Sequence, residues 1–176
     1  MNFRYPIQIK TAIRAMQEVV MPSIDQSNKM ATEQAGLVVA MLQLLERTLP
    51  LSYRYDCDEL NRSIALAEEL RGAIDGVPVL HAMSEQIAAS AAAARDTLDR
   101  ALADPGELEL ACRNIRAAIS ILVTTAINEA PPQKREAVMR LTINSSKEQL
   151  LRERTWVISQ GWESEPEKLP PIETLI

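Results

Sequence analysis

The stretch 33-EQAGLVVAMLQLLERTLP-50 decides the fold, because its apolar run must be a membrane span, a buried helix or a surface kept for a partner. From Ala35 to Leu45 the run covers eleven residues and includes Gln43. A helix that crosses a bilayer needs about 18 or more, so the run reads as no membrane span. Ala35, Val38, Leu42, Leu45 and Leu49 recur at helical spacing, while Leu37, Val39, Met41 and Leu44 fill the other sides. Thr32, Gly36, Gln43 and Arg47 leave only a narrow polar line. A helix that is apolar nearly all round is buried nearly all round. This segment is therefore expected to be the central helix, or one covered by a second subunit. Leu37, Val39, Met41 and Leu44 are the candidate interface residues, joined by Trp162 further along the chain.

Outward from this helix, breakers divide the chain into helical segments, and no stretch alternates as an amphipathic strand must. Upstream, Ile9, Ala12, Ile13, Met16, Val19 and Val20 share one helical face between about Ile7 and Val20, and Pro22 kinks or ends that segment. Downstream, "SYRYDCDE" reads as a loop whose acids suit the next helix N-terminus. Leu60, Ile64, Ala67, Leu70 and Ile74 form that helix's face, ended by Gly76 and Pro78. Leu80, Ile87, Ala94 and Ala101 then repeat every seven residues with Ala91 and Leu98, which implies a closely packed antiparallel neighbour. "ADPGEL" is the turn to that neighbour: Asp104 caps, Pro105 takes the first helical position and Glu107 completes a capping box.

Leu108, Ala111, Ile115, Ala118, Ile119 and Leu122 face the core of this fifth segment, which Pro131 and Pro132 close. The sixth runs from Pro132 to about Gly161, with Val138, Met139, Ile143, Leu150 and Val157 as its inner face. The fold class is all-α: an up-and-down bundle of about four long helices plus one or two shorter ones, forming a single domain over 1–161. Residues 162–176 hold three prolines and several glutamates and are expected to form an extended acidic tail. Trp162, Leu169, Ile172, Leu175 and Ile176 make that tail too apolar to be free, so part of it should dock on a helical face.

The composition agrees, with 47% hydrophobic and 24% charged residues, five Gly and few aromatics, a mixture that favours helices. A net charge of -5 gives no electrostatic footprint for nucleic acid. Cys57 and Cys112 belong to no metal spacing and are expected as free thiols in a reducing, cytoplasmic setting. The N-terminus carries scattered charges and no signal-like apolar core.

Complete catalytic or metal-binding sets are missing from the sequence. A di-metal bundle needs Glu-x-x-His on two helices, and the chain has one histidine, His81. His81 and Glu85 lie one turn apart but fall short of a zinc site. Nucleotide-binding and nucleophile-elbow motifs do not occur. Neither a metal nor a cofactor is expected.

Tyr53, Arg54, Tyr55 and Asp56 form the most polar and aromatic cluster, a candidate ligand mouth for an anionic group. The simpler alternative is that the rings plug the bundle end. Arg113 and Arg116 could reach a phosphate, or a carboxylate such as Glu109. The function expected on this basis is non-enzymatic: self-association as a dimer, or service as an accessory subunit of a protein partner. The alternative is a bundle that binds a small apolar or acyl-type ligand between its helices, with Met16, Met30, Met41, Met83 and Met139 as adaptable walls. A carboxylate enzyme using Glu33, Glu46 or Asp56 would need perturbed acids gathered in one cleft.

Overall fold

The computed structural model describes residues 4–100 and 104–176. The chain is an all-α helical bundle, 85% helical, with no strand among the described residues. Its helices are α1 (Tyr5–Ala15), α2 (Lys29–Thr48), α3 (Ser52–Ala73), α4 (His81–Asp99), α5 (Pro105–Glu129) and α6 (Pro132–Trp156). Five of them are long, where about four were expected. The difference lies at "SYRYDCDE", which is the first part of α3 and no loop. Pro50 is tolerated in the first turn of a helix because its missing N–H has no partner there anyway. It sits in a single 3-10 turn, Leu49–Leu51, and the backbone is helical again from Ser52.

The chain divides into two compact units. A terminal unit takes Met1–Ser52 with Leu151–Leu175, and a central unit takes Tyr53–Leu150 with Ile176.

In the central unit the expected faces pack as expected. Leu60, Ile64, Ala67, Leu70 and Ile74 are buried from α3, Leu80, Ile87, Ala91 and Ala94 from α4 and the turn before it, and Leu108, Ile115, Ala118, Ile119, Leu122 and Ala126 from α5. α4 and α5 are the most extensively packed pair of helices. Ala101 lies outside the described residues. The turn into α5 is capped as its sequence predicts, with the Gly106 N–H donating to Asp104 Oδ1 at 2.7 Å and the Asp104 N–H to Glu107 Oε2 at 3.1 Å. Ion pairs tie the outer surfaces together: Arg95 to Glu68 at 2.7 Å and Arg62 to Glu148 at 3.0 Å.

The inner face of α6 departs from expectation. Val138 is fully buried, but Met139, Ile143 and Leu150 are exposed. The inward residues are the half-buried Leu141, Thr142, Ser145 and Gln149. Gln149 donates to Glu59 Oε1 at 3.1 Å across the unit, while the Thr142 hydroxyl donates to the Val138 carbonyl of its own helix at 2.9 Å.

The terminal unit has a thinner core. α1 packs on α2, burying Ile13, with Ile9, Ala12 and Met16 half-buried as predicted. Val19 and Val20, expected on the same face, are exposed. Pro22 cannot donate the helical hydrogen bond to residue 18, and its ring crowds that carbonyl. The backbone takes this up as a π-helical stretch, Met16–Val20. The wider turn shifts the helical phase and carries both valines off the packed face.

After α6 a 3-10 turn, Ile158–Gln160, ends at Gly161, whose φ of 73° suits a residue without Cβ. Beyond it the tail is not extended, since 3-10 turns at Pro166–Lys168 and Ile172–Thr174 fold it. Ile172 is buried and Leu169 and Leu175 are half-buried, so the tail is ordered as predicted, but Trp162 is exposed. Arg154 grips Glu163 through two hydrogen bonds, at 2.7 and 2.8 Å, and this guanidinium holds the Glu163 carboxyl below its ordinary pKa. This ion pair joins the tail to the end of α6.

Candidate functional site

Two features stand out, one in each unit. In the central unit α3 and α5 leave a surface cleft of about 270 Å³. Asp56 and Glu59 line it from α3, and Leu108, Glu109, Cys112, Arg113 and Arg116 from α5. Arg116 donates to Glu59 Oε1 at 2.9 Å, and Arg113 pairs with Glu109 one turn back on its own helix. Asp56 is pushed above the usual carboxylate range by burial, and the neighbouring charges of Glu59 and Glu109 push it further. Cys112 lies at the cleft base, 3.9 Å from Ser63 Oγ. Burial raises its thiol pKa and Glu59 adds to the rise, while Arg116 opposes it. The thiol therefore stays protonated and poorly nucleophilic.

Of the four residues expected to form a ligand mouth, only Asp56 lines this cleft. In a helix each residue steps about 100° around the axis, so four consecutive side chains cannot converge. Tyr53 is partly exposed and meets the Cys57 thiol, which raises the pKa of its phenol. Arg54 donates to the backbone oxygen of Ile176. Tyr55 is half-buried. Sequence spacing put Arg113 and Arg116 near Glu109, but the second bond of this network, to Glu59, depends on how α3 packs against α5. Glu33 and Glu46 are in the terminal unit, where Glu46 pairs with Lys10 at 3.6 Å. Glu33 and Glu46 stand thirteen positions apart on α2, so these two acids do not gather. His81 is exposed at the start of α4. Among the described residues no three His, Cys, Asp or Glu side chains are placed to hold a metal ion. Five of the cleft's seven lining residues are charged, which is the wrong chemistry for an acyl chain.

The second feature is α2. Ala35 and Val39 face inward, and Thr48 is buried near the helix end. The helix expected to be buried nearly all round is not so within its own chain, because Val38, Leu45 and Leu49 are exposed. Val39 is only 7% exposed, so it is core and no interface residue. Leu44 is half-buried at the edge. Met30, Leu37 and Met41 are 74, 59 and 54% exposed, and with Val38 and Leu45 they form a continuous outward stripe at spacings of three, four and seven. Gln160 Nε2 donates to the Ala40 carbonyl at 3.1 Å, which ties the turn preceding Trp162 to the middle of this helix. Trp162 itself is 78% exposed.

Two helical runs, Lys29–Ala73 and Pro105–Glu129, are long and apolar enough to cross a membrane by length and composition. In α5 the apolar residues supply much of the central core, as they do in many water-exposed bundles. No family model matches the chain, and neither the curated proteins nor the solved structures contain a match.

Proposed function

We propose that the chain acts by association, with itself or as an accessory subunit, through the outward stripe of α2. The observation that carries this reading is the stripe itself: Met30, Leu37, Val38, Met41 and Leu45 are exposed in series on one helix. Single exposed apolar residues are ordinary, whereas a contiguous patch marks a contact surface. Both cysteines are free thiols, which favours a reducing compartment such as the cytoplasm. The test is mass in solution across a dilution series, for the natural chain and for Leu37→Asp with Met41→Asp. The natural chain should be dimeric at high concentration. The double variant should be monomeric with unchanged helix content. A natural chain that stays monomeric at high concentration would remove self-association.

A second reading rests on Asp56. A half-buried carboxyl facing two further acids is relieved by a hydrogen-bond donor or a small cation, so the α3–α5 cleft suits a small polar amine better than an apolar ligand. Resonances of residues 56, 109 and 112 that stay still as a simple alkylamine is titrated into labelled protein would dismiss it.

A further inference from the structure

The stripe on α2 is flanked by two charges whose placement selects the partner and its direction. Glu33 and Arg47 are both exposed, and neither forms an ion pair among the described residues, whereas nearby Glu46 is paired with Lys10. They are fourteen positions apart, close to four helical turns, so they lie on the same flank of the stripe about 21 Å from each other. Their midpoint is position 40. The exposed Leu37, Val38, Met41 and Leu45 distribute around that same position. The hydrogen bond from Gln160 to the Ala40 carbonyl brings the chain leading to Trp162 to this height as well.

Resting on the association reading above, we propose that the occupant of the stripe is a second copy of this chain, with α2 packed antiparallel to its mate about a two-fold axis close to Ala40, so that Glu33 of each chain faces Arg47 of the partner subunit. In an isologous contact, if residue i meets residue j then j meets i. Two helices pairing through the same stripe in antiparallel fashion set equal flanks against each other with their ends exchanged. Glu33 then meets Arg47 twice, once on each side of the axis. In a parallel two-fold pair the same flank of each helix falls on opposite sides of the seam, so Glu33 and Arg47 would meet neither each other nor their own copies. Exposed ion pairs add little affinity, so the apolar stripe drives association and the charges choose its direction.

The direction can be tested on the full chain. Glu33→Arg and Arg47→Glu should each weaken dimerisation by about tenfold at low salt, since two attractive contacts become two repulsive ones. The double variant Glu33→Arg with Arg47→Glu should recover natural affinity, and added salt should shrink all three differences. With Cys57→Ser and Cys112→Ala as background, Val38→Cys should cross-link to its own copy under mild oxidant, and Glu33→Cys should not. Circular dichroism of each variant separates loss of pairing from loss of fold.

A dimer whose affinity ignores all the charge variants, or in which Glu33→Cys self-links as fast as Val38→Cys, overturns the antiparallel pairing but leaves association standing. A monomer at high concentration overturns both. A monomer that floats with uncharged lipid vesicles overturns the proposal in favour of a membrane surface as the occupant.

Discussion

α2 and α5 are built from similar material, and both α5 and the longer run Lys29–Ala73 that α2 opens are long and apolar enough to span a bilayer. α5 buries residues from Leu108 to Ala126 along its length, while α2 buries Ala35, Val39 and Thr48 and leaves a row of apolar side chains in solvent. The difference is in what the rest of each unit provides. The central unit surrounds α5 with α3, α4 and α6, whose inward residues complete one buried cluster. Among the described residues the terminal unit consists, besides α2, of α1 with the short helical turns after it, the end of α6 from Leu151 and the folded tail, and its buried apolar residues are Ile13, Ala35, Val39 and Ile172. Apolar composition therefore determines that a helix needs cover, and the number of available neighbours determines whether its own chain supplies it.

The contrast breaks if the two helices respond alike to truncation. Leu122→Ala in α5 removes a fully buried side chain and should cost about 2–5 kcal/mol in urea unfolding. Leu37→Ala in α2 should change stability by less than about 0.5 kcal/mol in dilute, monomeric protein. An equal loss at Leu37 would show that the stripe is already covered within the chain. Ile172→Ala probes the thinner core. It should fall near the low end of the range, about 2 kcal/mol, because a loosely surrounded site collapses more easily around the space it leaves. A loss as large as that at Leu122 would mean that the two cores are equally tight.

Smaller effects sharpen the comparison. Asp104→Ala removes both the side-chain acceptor for Gly106 and its half of the capping box, and should lower stability by about 1 kcal/mol in the central unit alone. Gly36→Ala should act in the opposite direction in α2. Its added Cβ would meet nothing within 4 Å, so the lower cost of ordering a helical alanine should raise stability by about 0.5–1 kcal/mol. Either would show as a shifted melting temperature.

Asp56 gives the central unit a pH signature. Its folded pKa is raised, chiefly by burial, so the native state binds this proton more tightly than the unfolded chain does. The associated stability is present below the ordinary aspartate pKa and is lost as pH rises through the raised value. Asp56→Asn should therefore gain stability relative to the natural chain on going from acid to neutral pH. A stability difference that does not change with pH would mean that Asp56 is solvated as in the unfolded chain.

Much of the central unit was legible from spacing. The α3 stripe from Leu60 to Ile74, the sevenfold repeat of α4 from Leu80 to Ala94 and the capping box at Asp104 each rest on local chemistry that the sequence writes directly. The misses have physical reasons. From Ala35 to Leu45 every position of α2 but Gly36 and Gln43 is apolar, so no polar face marks which side points outward there, and Val38 and Leu45 could not be told from Ala35 and Val39. In α6 the inward face is partly polar, at Thr142, Ser145 and Gln149, and a search for apolar periodicity passes over it. Pro50 looked like a stop, but a proline that opens a helical turn removes no hydrogen bond the helix needs. The cleft was half legible. Spacing alone put Arg113 within reach of Glu109, but that Glu59 meets Arg116, and that Asp56 lines the same cleft, depends on how α3 lies against α5.

Two of the most exposed side chains on the α2 stripe, Met30 and Met41, are thioethers. A peroxide transfers one oxygen to such a sulfur and leaves as water or an alcohol, turning a flexible apolar group into a polar sulfoxide. In the free chain both sulfurs are open to this reaction, and in an associated pair they would be shielded. Any association through this stripe would therefore be one that oxidants blunt and methionine sulfoxide reductases restore, while the buried aliphatic core of the central unit is untouched.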